Sequence, residues 1–264
     1  MVVWGWVQQH RVLSVLLLAM VIVACAGGTA WALVFRTVSS PVSLRQALRT
    51  YRREQSAKIL ESVRNRLPAP GVYTYRTRGG EGLSLMGVGR SFPASSSMIV
   101  VDSGCATVSW VPIAQHTEET VLCRQSDGAL TTPELVTEES IVGSDTRSVV
   151  RCPPTAYLLP PEPAAGGRWR ATCVLAGAGE KVALEGQDLG PATAVVGGRR
   201  VPVEHTRVTL TYAGTVRGTN PTDYWLVPGS GLIVREQETV AMSQAGVEYS
   251  ERMEADLAAL TPRR

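Results

Sequence analysis

The sequence predicts a mainly β protein in which one transmembrane helix and a basic juxtamembrane helix precede a curved antiparallel sheet, a half-barrel or a sandwich. Three observations predict it. Residues 12–35 carry no charged side chain, and residues 44–67 hold seven Lys and Arg against two Glu. From Gly71 onward, short runs rich in Val, Thr, Tyr and Trp alternate with clusters of Gly, Pro, Ser and Asp, the texture of antiparallel strands and their turns. With 264 residues, 44% hydrophobic content and a net charge of +3, the chain can bury a core, which excludes disorder, collagen and coiled coil.

After a short flank (1–11), the uncharged run 12–35 is long enough at ~1.5 Å per residue to cross a hydrocarbon layer ~30 Å thick. It reads as a transmembrane helix, with a cleaved secretory signal as the alternative. Ile22-Val23-Ala24-Cys25 also matches the permissive pattern at which bacterial lipoproteins are acylated on cysteine. Around the span, Arg11 stands on one side and Arg36, Arg45, Arg49, Arg52 and Arg53 on the other. Charge alone would place the C-terminal mass in the cytoplasm. The cysteines point the other way.

Residues 36–67 read as a basic stalk. Ser43-Leu44-Arg45-Gln46 is a capping-box signal, so a helix starts near Leu44, and Pro68 with Pro70 ends it. Arg45, Arg49, Arg52 and Arg53 are its candidate contacts to anionic lipid headgroups, the alternative being a solvated spacer helix. Residues 68–264 form the β domain, with strands expected at 72–78, 97–101, 106–111, 117–124, 146–152, 169–175, 180–189, 192–196, 199–213, 222–227, 232–242 and 247–257. The last fits a helix almost as well as a strand. Five prolines between Pro153 and Pro163 make that stretch a long loop or belt, because proline has no N–H for a ladder.

Cys105 and Cys123 flank a turn-forming stretch, and Cys152 and Cys173 bracket the proline-rich loop. Of the three pairings open to four cysteines, Cys105–Cys123 and Cys152–Cys173 are predicted. Such bonds belong to an oxidising compartment, the alternative being four buried thiols in a cytoplasmic protein.

Conventional catalytic patterns are missing. HExxH, GxxxxGK[ST], GxSxG and Cys-x-x-Cys do not occur, and beyond the apolar run only His116 and His205 remain for acid–base or metal chemistry. Glu118-Glu119 and Glu138-Glu139 lie on opposite faces of their strands and read as edge charges. No enzyme activity, cofactor or metal is expected, and no nucleic-acid binding, because the basic excess lies in the stalk. Trp110, Tyr224 and Trp225 are the candidate lining of a cavity for an apolar ligand, the alternative being that they fill the core.

Leu67-Pro68-Ala69-Pro70-Gly71-Val72-Tyr73-Thr74-Tyr75, Gly104-Cys105, Cys123, Cys152, Trp169-x-x-x-Cys173, and Asp223-Tyr224-Trp225-Leu226 through Gly231-Leu232-Ile233-Val234-Arg235 resemble a group of uncharacterised actinobacterial membrane-anchored proteins. That resemblance implies a domain facing outward with four recurring cysteines. The Trp-Leu, turn, Leu-x-Val-Arg hairpin is similar to one in LolA/LppX-type envelope carriers, which implies a curved sheet that holds lipid. The expectation is therefore a single-pass membrane protein whose extracytoplasmic, disulfide-stapled β domain has a non-catalytic binding or envelope-organising role. A lipid or hydrophobic-ligand carrier is the alternative, and an envelope hydrolase ranks below both.

Overall fold

The computed structural model describes residues 39–57, 67–84, 87–102, 104–141 and 144–264. The expected transmembrane span with Cys25, the 1–11 flank and residues 36–38 and 58–66 of the stalk lie outside the described residues. Among the described residues, no helix is long and apolar enough to cross a membrane.

One helix, α1 (Leu44–Ala57), precedes the strands β1 (Gly71–Leu83), β2 (Val88–Ser91), β3 (Ser95–Asp102), β4 (Ala106–Ile113), β5 (His116–Arg124), β6 (Leu130–Ile141), β7 (Ser144–Arg151), β8 (Tyr157–Leu159), β9 (Arg168–Leu175), β10 (Glu180–Val196), β11 (Arg199–Ala213), β12 (Val216–Leu226), β13 (Ile233–Gln244) and β14 (Val247–Leu257). Successive strands pair antiparallel from β3 to β14, with β8 set aside, and β1 pairs with β3. The expected half-barrel or sandwich is instead a closed antiparallel barrel of twelve strands.

Closure depends on β1 using both edges. On one side it pairs with β14 from Tyr75 opposite Leu257 to Leu83 opposite Tyr249. On the other it serves β3 with its first half and β2 with its second. Gly79 and Gly80 permit this double engagement: a Cβ on Gly79, whose φ is +127°, would lie 1.9 Å from the Arg252 carbonyl oxygen, and one on Gly80 2.4 Å from that of Arg90. Neighbouring backbones on both sides occupy the space any larger residue needs.

Inward positions follow the two-residue period of a strand. In β14, Glu251, Met253, Ala255 and Leu257 are buried while Ser250 and Arg252 are exposed, which settles the ambiguous last segment as strand. Tyr73, Tyr75, Met98, Trp110, Leu122, Leu226 and Leu257 belong to one continuous core inside the barrel. The outer wall carries charge pairs set across strands, the exposed Arg147 with Glu138 and Arg170 with Glu185, and Arg151 with the half-buried Glu134. Charge pairs of this kind are the inverse of the apolar outward band of a membrane barrel.

The helix begins as its capping signal predicts, with the Gln46 amide donating to Ser43 Oγ at 3.2 Å. It is not a free-standing stalk. Ala47 and Tyr51 pack with Val72, Ile99 and Val101 of β1 and β3, while Arg45, Arg49, Arg52 and Arg53 stay exposed.

Both disulfides pair as expected. Cys105–Cys123 ties the β4–β5 hairpin, with Cα atoms 4.5 Å apart, and Cys152–Cys173 joins the chain just after β7 to β9, with Cα atoms 4.2 Å apart. The second bond spans the proline-rich segment, which is neither a plain loop nor a belt. It includes β8, which pairs with β6, and it buries Ala156, Leu158 and Leu159. Trp169 holds it by donating Nε1–H to the Tyr157 carbonyl at 2.8 Å.

Candidate functional site: an acidic chamber in the barrel

The core does not fill the whole barrel. A cavity of ≈ 490 Å³ remains inside it, reaching the rim at the turns after β11 and β13. One part of its wall is apolar, built from Leu135, Val150, Leu158, Leu175, Leu184, Val208 and Leu210. Leu158 comes from the proline-rich segment, so the Cys152–Cys173 bond clamps the ends of the chain that supplies part of this wall. The volume is within the range of small-molecule sites, roughly 300–1,000 Å³.

The other part is acidic. Glu118 on β5, Glu139 on β6, Glu236 and Glu238 on β13, and Glu251 on β14 all line the cavity. They stand at the strand parity of apolar neighbours, as in Val234-x-Glu236-x-Glu238-x-Val240. Burial, then the charge of Glu118, pushes Glu236 up to about 8, and the same two causes in the same order hold Glu238 and Glu251 well above the ordinary carboxylate range. Tyr249 donates to Glu251 Oε2 at 2.7 Å, whereas Glu251 Oε1 is buried without a hydrogen-bond partner.

A charged knot adjoins this face. His116 Nδ1–H donates to Glu81 Oε2 at 2.6 Å and Nε2–H to Glu118 Oε1 at 3.2 Å. Burial acts to lower the His116 pKa, but the bonds to Glu118 and Glu81 outweigh it and hold the ring well above its usual value, as an imidazolium. Burial acts to raise Glu81, yet His116, Tyr249 and Arg90 together keep its carboxyl below the ordinary range. Arg90, paired with Glu81, also donates to the Ser140 and Gln115 carbonyls at 2.9 and 3.3 Å. One ligand atom each from Glu81, His116, Glu139 and Glu251 lie within 4.8 Å of one another, but an imidazolium has no lone pair to offer a cation, so the set is held together by its own charges. Arg90 and the imidazolium already neutralise its most acidic member.

The residues singled out from the sequence are dispersed. Tyr224 lines the cavity. Trp225, next to it on β12, points to the outer wall, stacked on His205 at 4.1 Å with the Arg235 guanidinium 5.0 Å from its ring. Trp110 is buried edge-on to Phe92 at 5.2 Å and to His116 at 5.7 Å, and donates Nε1–H to Ser96 Oγ at 2.9 Å. His205 Nε2 bonds Asp223, which Arg207 also grips, so the two histidines sit on opposite sides of the barrel wall. Both rings hydrogen-bond to carboxylates, His116 to Glu81 and Glu118 and His205 to Asp223. Glu118 and Glu139 are not edge charges. They point into the lumen, while Glu138 faces outward to Arg147.

No protein-family model and no curated protein matches the sequence. Among solved structures the chain is similar to the hypothetical lipoprotein YmcC from Escherichia coli K12, at 11% identity and a TM-score of 0.34, covering 84% of this chain and 97% of that one.

Proposed function

We propose that this protein is a non-catalytic binding protein or carrier that takes an apolar ligand into its barrel, held at the extracytoplasmic face of a membrane by residues 12–35. The observation that carries this reading is the ≈ 490 Å³ cavity with an apolar wall inside an otherwise packed barrel. An apolar cavity of this size loses dispersion contacts and burial energy unless something fills it. The two disulfides support an oxidising compartment. The exposed Arg45, Arg49, Arg52 and Arg53 of α1 support contact with anionic headgroups, each contributing about 1 kcal/mol near such a surface.

The test is to fill the chamber. In the full chain reconstituted in phosphatidylcholine nanodiscs, with protein-free discs subtracted, N-phenyl-1-naphthylamine is expected to bind with enhanced fluorescence. Leu210→Trp puts an indole into the cavity and is expected to weaken that binding by about ten-fold or more, a loss on the order of 1.4 kcal/mol, while the circular dichroism spectrum stays unchanged. Equal binding by a folded Leu210→Trp variant would place the probe elsewhere and defeat the reading.

A further inference from the structure

We infer that the ligand is a cationic amphiphile, its alkyl chain lying along Leu158, Leu175, Leu184, Val208 and Leu210 and its ammonium-type head among Glu118, Glu236, Glu238 and Glu251. The inference rests on the chamber being a ligand site, and it names the chemistry of the ligand. It stands on the charge inventory of the lumen. Carboxyls come from β1, β5, β6, β13 and β14, while the cations among the described groups at this face, Arg90 and His116, are already engaged by Glu81, Glu118 and backbone carbonyls.

Glu251 supplies a second observation. The residue is 3% exposed and lines the cavity, and its Oε1 is buried with no hydrogen-bond partner. A buried polar atom left without a partner is destabilising whether or not it carries a proton, and an ammonium head brings several N–H donors to a carboxylate there. An anionic head would sit beside Glu118 with no uncommitted cation among these groups to receive it. A neutral tail alone would leave Oε1 as it is. When the cation enters, a carboxyl that holds a proton releases it to the buffer, and the positive head takes the place of that proton.

The test uses the full chain in phosphatidylcholine nanodiscs at neutral pH, with protein-free discs subtracted, and three probes of one tail length: octylammonium, octanoate and octanol. By calorimetry octylammonium is expected to bind at least ten-fold more tightly than either of the others. Its heat is expected to vary with the ionisation enthalpy of the buffer, as proton release requires. In the Glu236→Gln/Glu238→Gln double variant, folded by circular dichroism, the preference is expected to vanish while octanol affinity persists. If octanoate or octanol binds as tightly as octylammonium, or if the double variant keeps the preference, the cationic-head assignment falls and the apolar chamber stands. If none of the three binds above the disc background, the chamber reading falls with it.

Discussion

Replacing Cys152 and Cys173 together by serine is expected to cost about 3 kcal/mol of stability and to open the barrel along one seam. The first figure is the loop-entropy estimate for a closed loop of this length, and it applies almost equally to Cys105–Cys123, since the sequence separations are 21 and 18. The second effect is specific to this bond. Between β7 and β9 the ladder holds only two residue pairs, Val150 opposite Leu175 and Arg151 opposite Val174, extended by the Ala176 amide donating to the Val149 carbonyl. Cys152 and Cys173 lie immediately beside those pairs, so the covalent bond substitutes for missing ladder. In β4 and β5, by contrast, Ala106 through Trp110 are paired without interruption. Hydrogen exchange provides the check: the amides of Arg151 and Val174, which face each other across this seam, should lose protection in the Cys152→Ser/Cys173→Ser variant and keep it in Cys105→Ser/Cys123→Ser. Equal destabilisation with unchanged protection at the seam would contradict this account.

A second large effect is a loss of stability as pH rises. Glu236, pushed up to about 8 by burial and then by Glu118, keeps its proton in the folded barrel at pH values where an unfolded glutamate, near 4.5, has lost it. The folded state therefore binds more protons as pH rises above the ordinary carboxylate value; Glu236 lowers stability by about 1.4 kcal/mol per pH unit up to about 8, and Glu238 and Glu251 add in the same direction. His116 adds the same sign above its ordinary value of 6.5, because its raised pKa contributes stability that is lost as pH climbs through the folded value. Glu81 acts oppositely: its lowered pKa contributes stability that disappears only as pH falls below the ordinary carboxylate value. Thermal unfolding should thus show greatest stability near pH 5 and a steady fall toward pH 8, with a shallower slope in Glu236→Gln. A flat profile for the native chain over that interval would show that the lumen carboxyls are solvated.

Much of the wall was legible from alternation alone, since β5, β9, β11, β13 and β14 lie close to where the period of two places them. Three departures have physical causes. The strand β6 (LTTPELVTEESI) hides behind a proline and three glutamates, residues that ordinarily disfavour a strand, yet Glu134 and Glu138 find arginine partners across β7. Gly190-Pro191 divides residues 180–196 into two strands on paper. In the barrel it is a bulge where the register shifts after Asp188, whose Oδ1 accepts the Gly190 amide at 2.8 Å, and one strand continues through it. Closure was beyond local reading, because β1 meets β14 across almost the whole domain and only that register makes a trough into a barrel.

The acidic chamber was legible in principle. Glu236, Glu238 and Glu251 share the parity of Val234, Val240 and Met253, and a carboxylate on the apolar side of a strand is the informative exception to burial rules. Their convergence with Glu118 was not, since it depends on strands distant in sequence facing one lumen. Of the aromatic candidates Tyr224 lines the cavity, and strand parity explains why its neighbour does not. Tyr224 and Trp225 are adjacent in one strand and must face opposite ways, so they cannot both line a cavity.

The most direct measurement is to map where a ligand sits. Irradiating the full chain in nanodiscs with octylammonium that carries a diazirine at the tail end, then sequencing the adducts by mass spectrometry, is expected to label the cavity residues Leu175, Leu184, Val208 and Leu210. Adducts confined to α1 or to the outward-facing Val174 and Val195, which are 42% and 61% exposed, would contradict a barrel that holds its ligand inside.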